Sequence, residues 1–215
     1  MSREHWRVID AEFERSAPAK KDLPEDDMPE VAVAGRSNVG KSSLINACTN
    51  ATGLARVSRS PGRTQLLNSF KWTCRAAPDE TFALRCVDLP GYGFAKVSRH
   101  VRAGFAKMVE DYLLERPTLG LLLLLVDCRR PLDDRDQGLV EFLSSRGELA
   151  PVRVLVVGTK ADKLGASERG LWVKRTAEEA GLTQRDVLLT STQAPMGIAG
   201  PRGLVDRLVG TLHPT

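Results

Sequence analysis

The chain has 215 residues, a length that suits one domain with a short extension and can bury a core without disulfide or metal staples. Hydrophobic residues make up 42% and charged residues 27%, a globular composition that excludes wholesale disorder. The 31 Lys and Arg against 27 Asp and Glu leave +4, which permits a polyanionic partner without demanding one.

The opening residues, MSREHWRVID, carry no apolar stretch of the kind a secretory signal needs. Residues 17–30, APAKKDLPEDDMPE, are rich in proline and acid and too poor in apolar surface to order alone. That stretch therefore reads as an extended lead-in lying on the domain, with 1–30 an N-terminal extension and 31–215 the domain. From residue 31, short apolar runs alternate with helical stretches. Residues 31–34 predict a buried strand and 42–50 a helix. Residues 66–74 and 81–87 predict a hairpin turning at Pro78 and Asp79. Residues 101–115 predict a helix, with Val101, Phe105, Met108, Val109, Tyr112 and Leu113 at three- and four-residue steps. The run 119–126 is nearly all apolar but far short of the about 18 residues a membrane span needs, so it predicts a buried strand.

A helix at 133–145, a strand at 152–157 and a helix at 167–180 follow, the last stopped by Gly181 as a C-cap. A strand at 187–189 and a helix at 204–212 complete the chain. Unbroken apolar strands alternating with helices predict an α/β fold: a mostly parallel six-stranded sheet with helices on both faces. Cys48, Cys74, Cys86 and Cys128 lack metal-ligand spacing and read as inert thiols in a reducing, cytoplasmic setting.

Chemistry concentrates in the turns after these strands. Gly35-Arg36-Ser37-Asn38-Val39-Gly40-Lys41-Ser42 matches G-x-x-x-x-G-K-[ST] between a predicted strand and a predicted helix, with Ser43 in the first turn. Glycines let the backbone curl so that N–H groups point at phosphate oxygens, and the helix start adds its positive end. Lys41 can reach the β- and γ-phosphates of a nucleotide, and the Ser42 hydroxyl can ligate Mg²⁺. Asp88-Leu89-Pro90-Gly91 ends the next strand of the pattern. Its carboxylate can serve the Mg²⁺ shell, and its glycine N–H can meet a γ-phosphate.

Thr159-Lys160-Ala161-Asp162 matches [NT]-K-x-D. A carboxylate here accepts from guanine N1–H and the 2-amino group together, whereas adenine would leave Asp162 unpaired. The stem of Lys160 can lie against the purine face. Thr190-Ser191-Thr192 follows the last strand, where GTPases offer a backbone N–H to guanine O6. Between the first two motifs, Pro61-Gly62-Arg63-Thr64-Gln65 supplies a threonine that can ligate Mg²⁺ when a γ-phosphate is present. Thr64 takes that role over Ser58 and Ser60 because it sits just before the strand at 66. Lys41, Thr64 and Gly91 are thus the candidate catalytic groups, and Ser42, Thr64 and Asp88 the candidate metal ligands.

GRSNVGKSSLIN at 35–46, PGRTQ at 61–65, DLPGYG at 88–93 and TKAD at 159–162, with Phe13 and Ser16 in an F-x-x-S approach, resemble the EngB family of bacterial Era-like GTPases. The resemblance covers nearly the whole chain. It implies GTP hydrolysis, a role in assembly of the large ribosomal subunit, and a requirement for normal septation in cell division. Two departures stand out: Thr190-Ser191-Thr192 where the family usually has Phe-Ser-Ser, and the acidic run Glu25-Asp26-Asp27.

Ras-like enzymes place a glutamine after the D-x-x-G glycine to position the attacking water. Tyr92 stands there in this chain, which predicts slow intrinsic hydrolysis. Some relatives with Asn at the position of Asn38 hold K⁺ beside the β- and γ-phosphates. Asn38 either does the same or only braces the loop. Lys96, Arg99, His100, Arg102 and Lys107 follow the 88–93 segment, and Arg129-Arg130 follow a strand end. They form a candidate rRNA-facing patch. The single set of motifs disfavours a tandem G-domain protein, and the chain is expected to be a monomeric G domain with no membrane partner. Two other classes compete: a binding module switched by nucleotide with incidental catalysis, favoured by Tyr92, and an ATP-using enzyme, disfavoured by Asp162.

Overall fold

The computed structural model describes residues 5–55, 66–92, 99–144, 151–193 and 201–213, and of residues 99–105, 144, 201 and 202 the backbone alone. Among the described residues seven strands form one sheet: β1 (Arg7–Ala17), β2 (Glu30–Gly35), β3 (Leu67–Ala77), β4 (Glu80–Asp88), β5 (Leu119–Asp127), β6 (Arg153–Thr159) and β7 (Val187–Leu189). Among the described residues five α-helices accompany them: α1 (Lys41–Thr49), α2 (Arg99–Glu115), α3 (Asp134–Ser144), α4 (Ala166–Ala180) and α5 (Pro201–Leu212). The sheet order is β1-β3-β4-β2-β5-β6-β7. The pairs β1–β3 and β3–β4 are antiparallel, and those from β4 through β7 are parallel. Each of the six strands read from the sequence is present, and the sheet is mostly parallel as expected.

The unbroken apolar strands are explained by burial on both sheet faces. Val31, Val33, Leu121, Leu123, Leu125, Leu155 and Val157 point to one face, against Leu44 and Ile45 of α1 and Leu204, Val205, Leu208 and Val209 of α5. Ala32, Ala34, Leu122, Leu124, Val126 and Val156 point to the other, against Tyr112 and Leu113 of α2, Val140 and Leu143 of α3 and Ala177 of α4. Each fully buried leucine of β5 contributes about 2 kcal/mol of transfer free energy. Gly181 ends α4 in the left-handed conformation, as a C-cap should.

The seventh strand comes from the lead-in. Residues 7–17 carried no predicted element, and they pair with β3 along its outer edge. Their alternation is obscured by two register irregularities and by a mostly exposed surface, both usual at a sheet edge. Charge holds the rest of the lead-in down. The fully buried Arg85 guanidinium donates to Glu14, Asp26 and Glu30. Fully buried Glu30 also accepts from Arg116 and from the Tyr112 hydroxyl. A buried carboxylate shared by two guanidiniums and a phenol is paired on every side, which is the condition for such a group to be tolerated. The acidic run therefore has a structural task, since Asp26 is one of the groups that meets Arg85.

The fold places the functional loops together. Strand order reverses about β2, which has β4 on one side and β5 on the other. Open parallel sheets bind ligands at the carboxyl ends of strands at such a switch point, where the loops diverge and leave a crevice. The turns after β2, β4, β5 and β6 all emerge at that end.

Candidate functional site

The phosphate loop runs from the end of β2 to the start of α1. Gly35 has φ +148°, and a Cβ there would lie 2.6 Å from the Leu125 carbonyl oxygen, so only glycine fits the exit from the strand. Asn38 and Gly40 both take positive φ, which curls the loop back on itself. Gly40 is the N-cap of α1 and makes no side-chain capping bond, so the first N–H groups of the helix remain open for an anion. Ser42 and Ser43 stand in that first turn, both half-buried.

Lys41 lies beneath this loop with its ammonium 4.0 Å from Oδ1 of Asp88, both side chains being nearly buried. Burial pushes the Asp88 carboxyl up to about 6, the Lys41 charge holding it down. Burial likewise draws Lys41 below its ordinary value, Asp88 opposing the shift. Oδ1 of Asp88 is buried without a hydrogen-bond partner, which leaves a carboxylate oxygen able to serve a metal shell. Among the described residues no group of three or more His, Cys, Asp or Glu could hold a metal ion. A divalent cation here would take ligands from nucleotide phosphates and water as well, as Mg²⁺ commonly does.

Gly91 rests on the loop. A Cβ at Gly91 would lie 3.1 Å from Nζ of Lys41 and 3.1 Å from both N and Oγ of Ser37. The Ser37 amide donates to the Tyr92 carbonyl at 3.1 Å, and Arg36 and Tyr92 form a parallel bridge. Of the residues between, Leu89 turns its side chain into the core and donates its amide to the Val33 carbonyl, and Pro90 is buried. They act as the spacer that sets Gly91 opposite Lys41.

The base-reading loops meet next to it. Thr159 donates its hydroxyl to the Val39 carbonyl at 2.8 Å and lies within 3.2 Å of the Val126 carbonyl. Lys160 adopts φ 60° and sends its ammonium to the carbonyl of Asn38 at 3.3 Å and to Asp127 at 2.8 Å. Ala161 is fully buried and donates its amide to the Thr190 carbonyl. Ser191 donates to Oδ1 of Asp162 at 2.6 Å, which with the nearby Lys163 keeps the Asp162 carboxyl below its ordinary range. Thr190 is buried, and Thr192 is exposed beside it. The Thr-Ser-Thr loop thus supplies its serine to Asp162, so the threonine at 190 does not disturb that contact.

The structure adds three carboxylates that the motifs did not point to. Asp127, at the carboxyl end of β5, binds Lys160 and Arg129, whose hydrogen bonds hold it well below the usual carboxylate range. Asp133 takes Arg36 at 2.8 Å, and Asp136 takes the Tyr92 hydroxyl. Their sequence signal was available: Asp127 ends a parallel strand at the switch point, and Asp133 and Asp136 open a helix there. Tyr92 therefore turns its side chain to α3, and a polar cleft of about 220 Å³ lined by Arg36, Asn38, Asp127, Arg130 and Lys160 flanks the same helix start.

Gly62, Arg63 and Thr64 lie outside the described residues, as does Lys96. Of the remaining basic-patch residues whose side chains are described, Lys107 pairs with Asp111 and Arg129 with Asp127, while Arg130 is exposed. Two of these cations thus have an acidic partner within the chain.

The family model described as 50S ribosome-binding GTPase matches residues 30–160. The chain is 41% identical over 183 residues to the probable GTP-binding protein EngB of Anaeromyxobacter sp. (strain K), covering 85% of this chain and 83% of that one. It is 43% identical over 183 residues to the EngB of Pelotomaculum thermopropionicum, with 85% and 86% covered. Among solved structures, a probable GTP-binding protein engB superimposes with a TM-score of 0.66 at 19% identity, over 86% of this chain and 100% of that one. Era in complex with MgGDPNP and a segment of 16S ribosomal RNA superimposes with a TM-score of 0.61 at 22% identity, over 86% and 56%. These two likenesses speak for the fold.

Proposed function

The chain belongs to the EngB family of GTP-binding proteins, and we propose that it binds GTP and GDP with Mg²⁺, hydrolyses GTP slowly, and acts in assembly of the large ribosomal subunit. The observation that carries guanine-nucleotide binding is the union of two loops. Asp162, oriented by Ser191, faces the base position while Thr159 ties the same loop to Val39 of the phosphate loop. A purine and its phosphates can then be read at one fixed spacing.

Two of the described groups fit Mg²⁺, the Asp88 oxygen that lacks a hydrogen-bond partner and the Ser42 hydroxyl, and Thr64 is the third ligand read from the sequence. The ion would neutralise charge on the β- and γ-phosphates. Lys41 supplies a cation to those oxygens, and Gly91 brings a backbone N–H to the γ-phosphate. The Tyr92 hydroxyl is engaged by Asp136, so this side chain does not orient a water, and a low intrinsic rate follows. The same observation favours the second reading, a nucleotide-switched ribosome-binding module in which catalysis is incidental. K⁺ near Asn38 is a further part of the reading, resting on the asparagine at that loop position. Equal turnover in K⁺ and Na⁺ would remove it.

We read residues 31–215 as the G domain and 1–30 as its extension, acting as a monomer in the cytoplasm and contributing to normal septation. All four cysteines are buried, and among the described residues no helix is long and apolar enough to cross a membrane. Titration of GDP and GTP with and without large ribosomal subunits tests the whole. Turnover stimulated by the particles supports the enzyme reading. Particle binding that depends on GTP without stimulated turnover supports the module, and absence of both rejects the ribosomal role.

A further inference from the structure

Two carboxylates at the start of α3 hold each other in a reciprocal cap. Oδ1 of Asp133 accepts from the amides of Arg135 and Asp136 at 3.1 Å, and Oδ2 of Asp136 accepts from the amide of Asp133 at 3.2 Å. This satisfies N–H groups that a helix start leaves open, and it fixes both side chains in direction. Each carboxylate has one oxygen left over. That of Asp133 takes the Arg36 guanidinium of the phosphate loop at 2.8 Å. That of Asp136, in a side chain only 2% exposed, takes the Tyr92 hydroxyl.

The two outward bonds reach the two segments that must meet at a γ-phosphate. Arg36 is the second residue of the phosphate loop, and Tyr92 directly follows Gly91. Between them the Ser37 amide donates to the Tyr92 carbonyl, and Gly91 sits against Lys41. We propose that the Asp133–Asp136 cap of α3 is a positioning device for GTP: Asp136, through Tyr92, sets where the Gly91 amide stands, and Asp133, through Arg36, holds the facing loop. This rests on the reading above that Gly91 meets the γ-phosphate. It gives Tyr92 a task at a position where Ras-like enzymes carry a water-orienting glutamine.

The bond matters for GTP and not for GDP, because GDP has no γ-phosphate for Gly91 to meet. Removing the hydroxyl in Tyr92→Phe or the charge in Asp136→Asn should free Gly91 to wander while the base and β-phosphate contacts remain. The experiment measures affinity for GDP and for GppNHp, and single-turnover GTP hydrolysis, in the full chain, the two single variants and the double variant. The expected result is a loss of about tenfold in GppNHp affinity and in turnover for each single variant, the size of one buried charge-assisted bond. GDP affinity should stay within about twofold, which also shows that the variants fold. The double variant should be no worse than the worse single, since both act on the same bond, one by removing its donor and the other by removing the charge on its acceptor.

Parallel loss of GDP and GppNHp affinity would mean a merely structural role and overturn the proposal. Unchanged or improved GppNHp affinity, or additive losses in the double variant, would overturn it as well. Wild-type protein that binds neither nucleotide would instead defeat the underlying reading.

Discussion

The Thr159 hydroxyl donates to the Val39 carbonyl at 2.8 Å across 120 positions of sequence. One side-chain bond thereby joins the turn after β6 to the turn after β2. The first carries base recognition and the second carries phosphate recognition, so their separation is set by a buried contact and not by loop flexibility. Lys160 adds a second tie through the carbonyl of Asn38.

Replacing Thr159 by Val keeps the shape and removes the donor. The Val39 carbonyl then loses its partner in a buried setting, a loss of about 1–3 kcal/mol. We expect a lower melting temperature and weaker binding of GDP and GTP alike, read by thermal unfolding and nucleotide titration. Normal affinity for both nucleotides in a stable T159V protein would reject the coupling.

Asp162→Asn exchanges an acceptor pair for one acceptor and one donor. Guanine presents two donors there, so GTP affinity should fall by about 100-fold or more, while xanthine nucleotides gain. Competition between GTP and XTP measures it. Ser191→Ala should weaken GTP binding in the same direction by less, because Ser191 orients Asp162 and does not replace it.

Gly91→Ala places a methyl 3.1 Å from the Lys41 ammonium and from Ser37. The neighbours must yield by a few tenths of an ångström, which moves the segment off the phosphate loop. Turnover of GTP should drop about tenfold while GDP affinity holds, since the effect falls on the γ-phosphate side. Single-turnover kinetics beside GDP titration separate the two, and equal losses would contradict the assignment.

Acid should loosen the lead-in. The hydrogen bond from Arg85 holds the Asp26 carboxyl down at about 2, against 3.8 unperturbed. A lowered value means the folded state keeps the ionised form, so this stability is present above pH 3.8 and lost as pH falls through about 2. Asp26→Asn should flatten that part of the profile, measured by denaturant unfolding at successive pH values. The carboxylate is 44% exposed, so solvent screening keeps the change modest. Identical acid profiles for both proteins would show that the pair carries no such linkage.

Much of this protein was decided by contiguous sequence. The apolar runs of β2, β5 and β6 declare a sheet buried on both faces, because no soluble strand exposes so many leucines and valines in a row. The phosphate loop and the Thr159–Asp162 motif are legible for a related reason: their chemistry needs particular residues at adjacent positions on one turn. Strand β1 was not legible, since an edge strand buries little and its bulges break the alternation that would reveal it. Nor were the contacts of Asp133 and Asp136, whose partners lie far away in sequence: Arg36 is 97 positions from Asp133, and Tyr92 is 44 from Asp136. Periodicity and motif spacing record what a residue does with its near neighbours. Which carboxylate meets which guanidinium or phenol is settled only when separate strand ends converge at one crevice, and that convergence is the work of the tertiary fold.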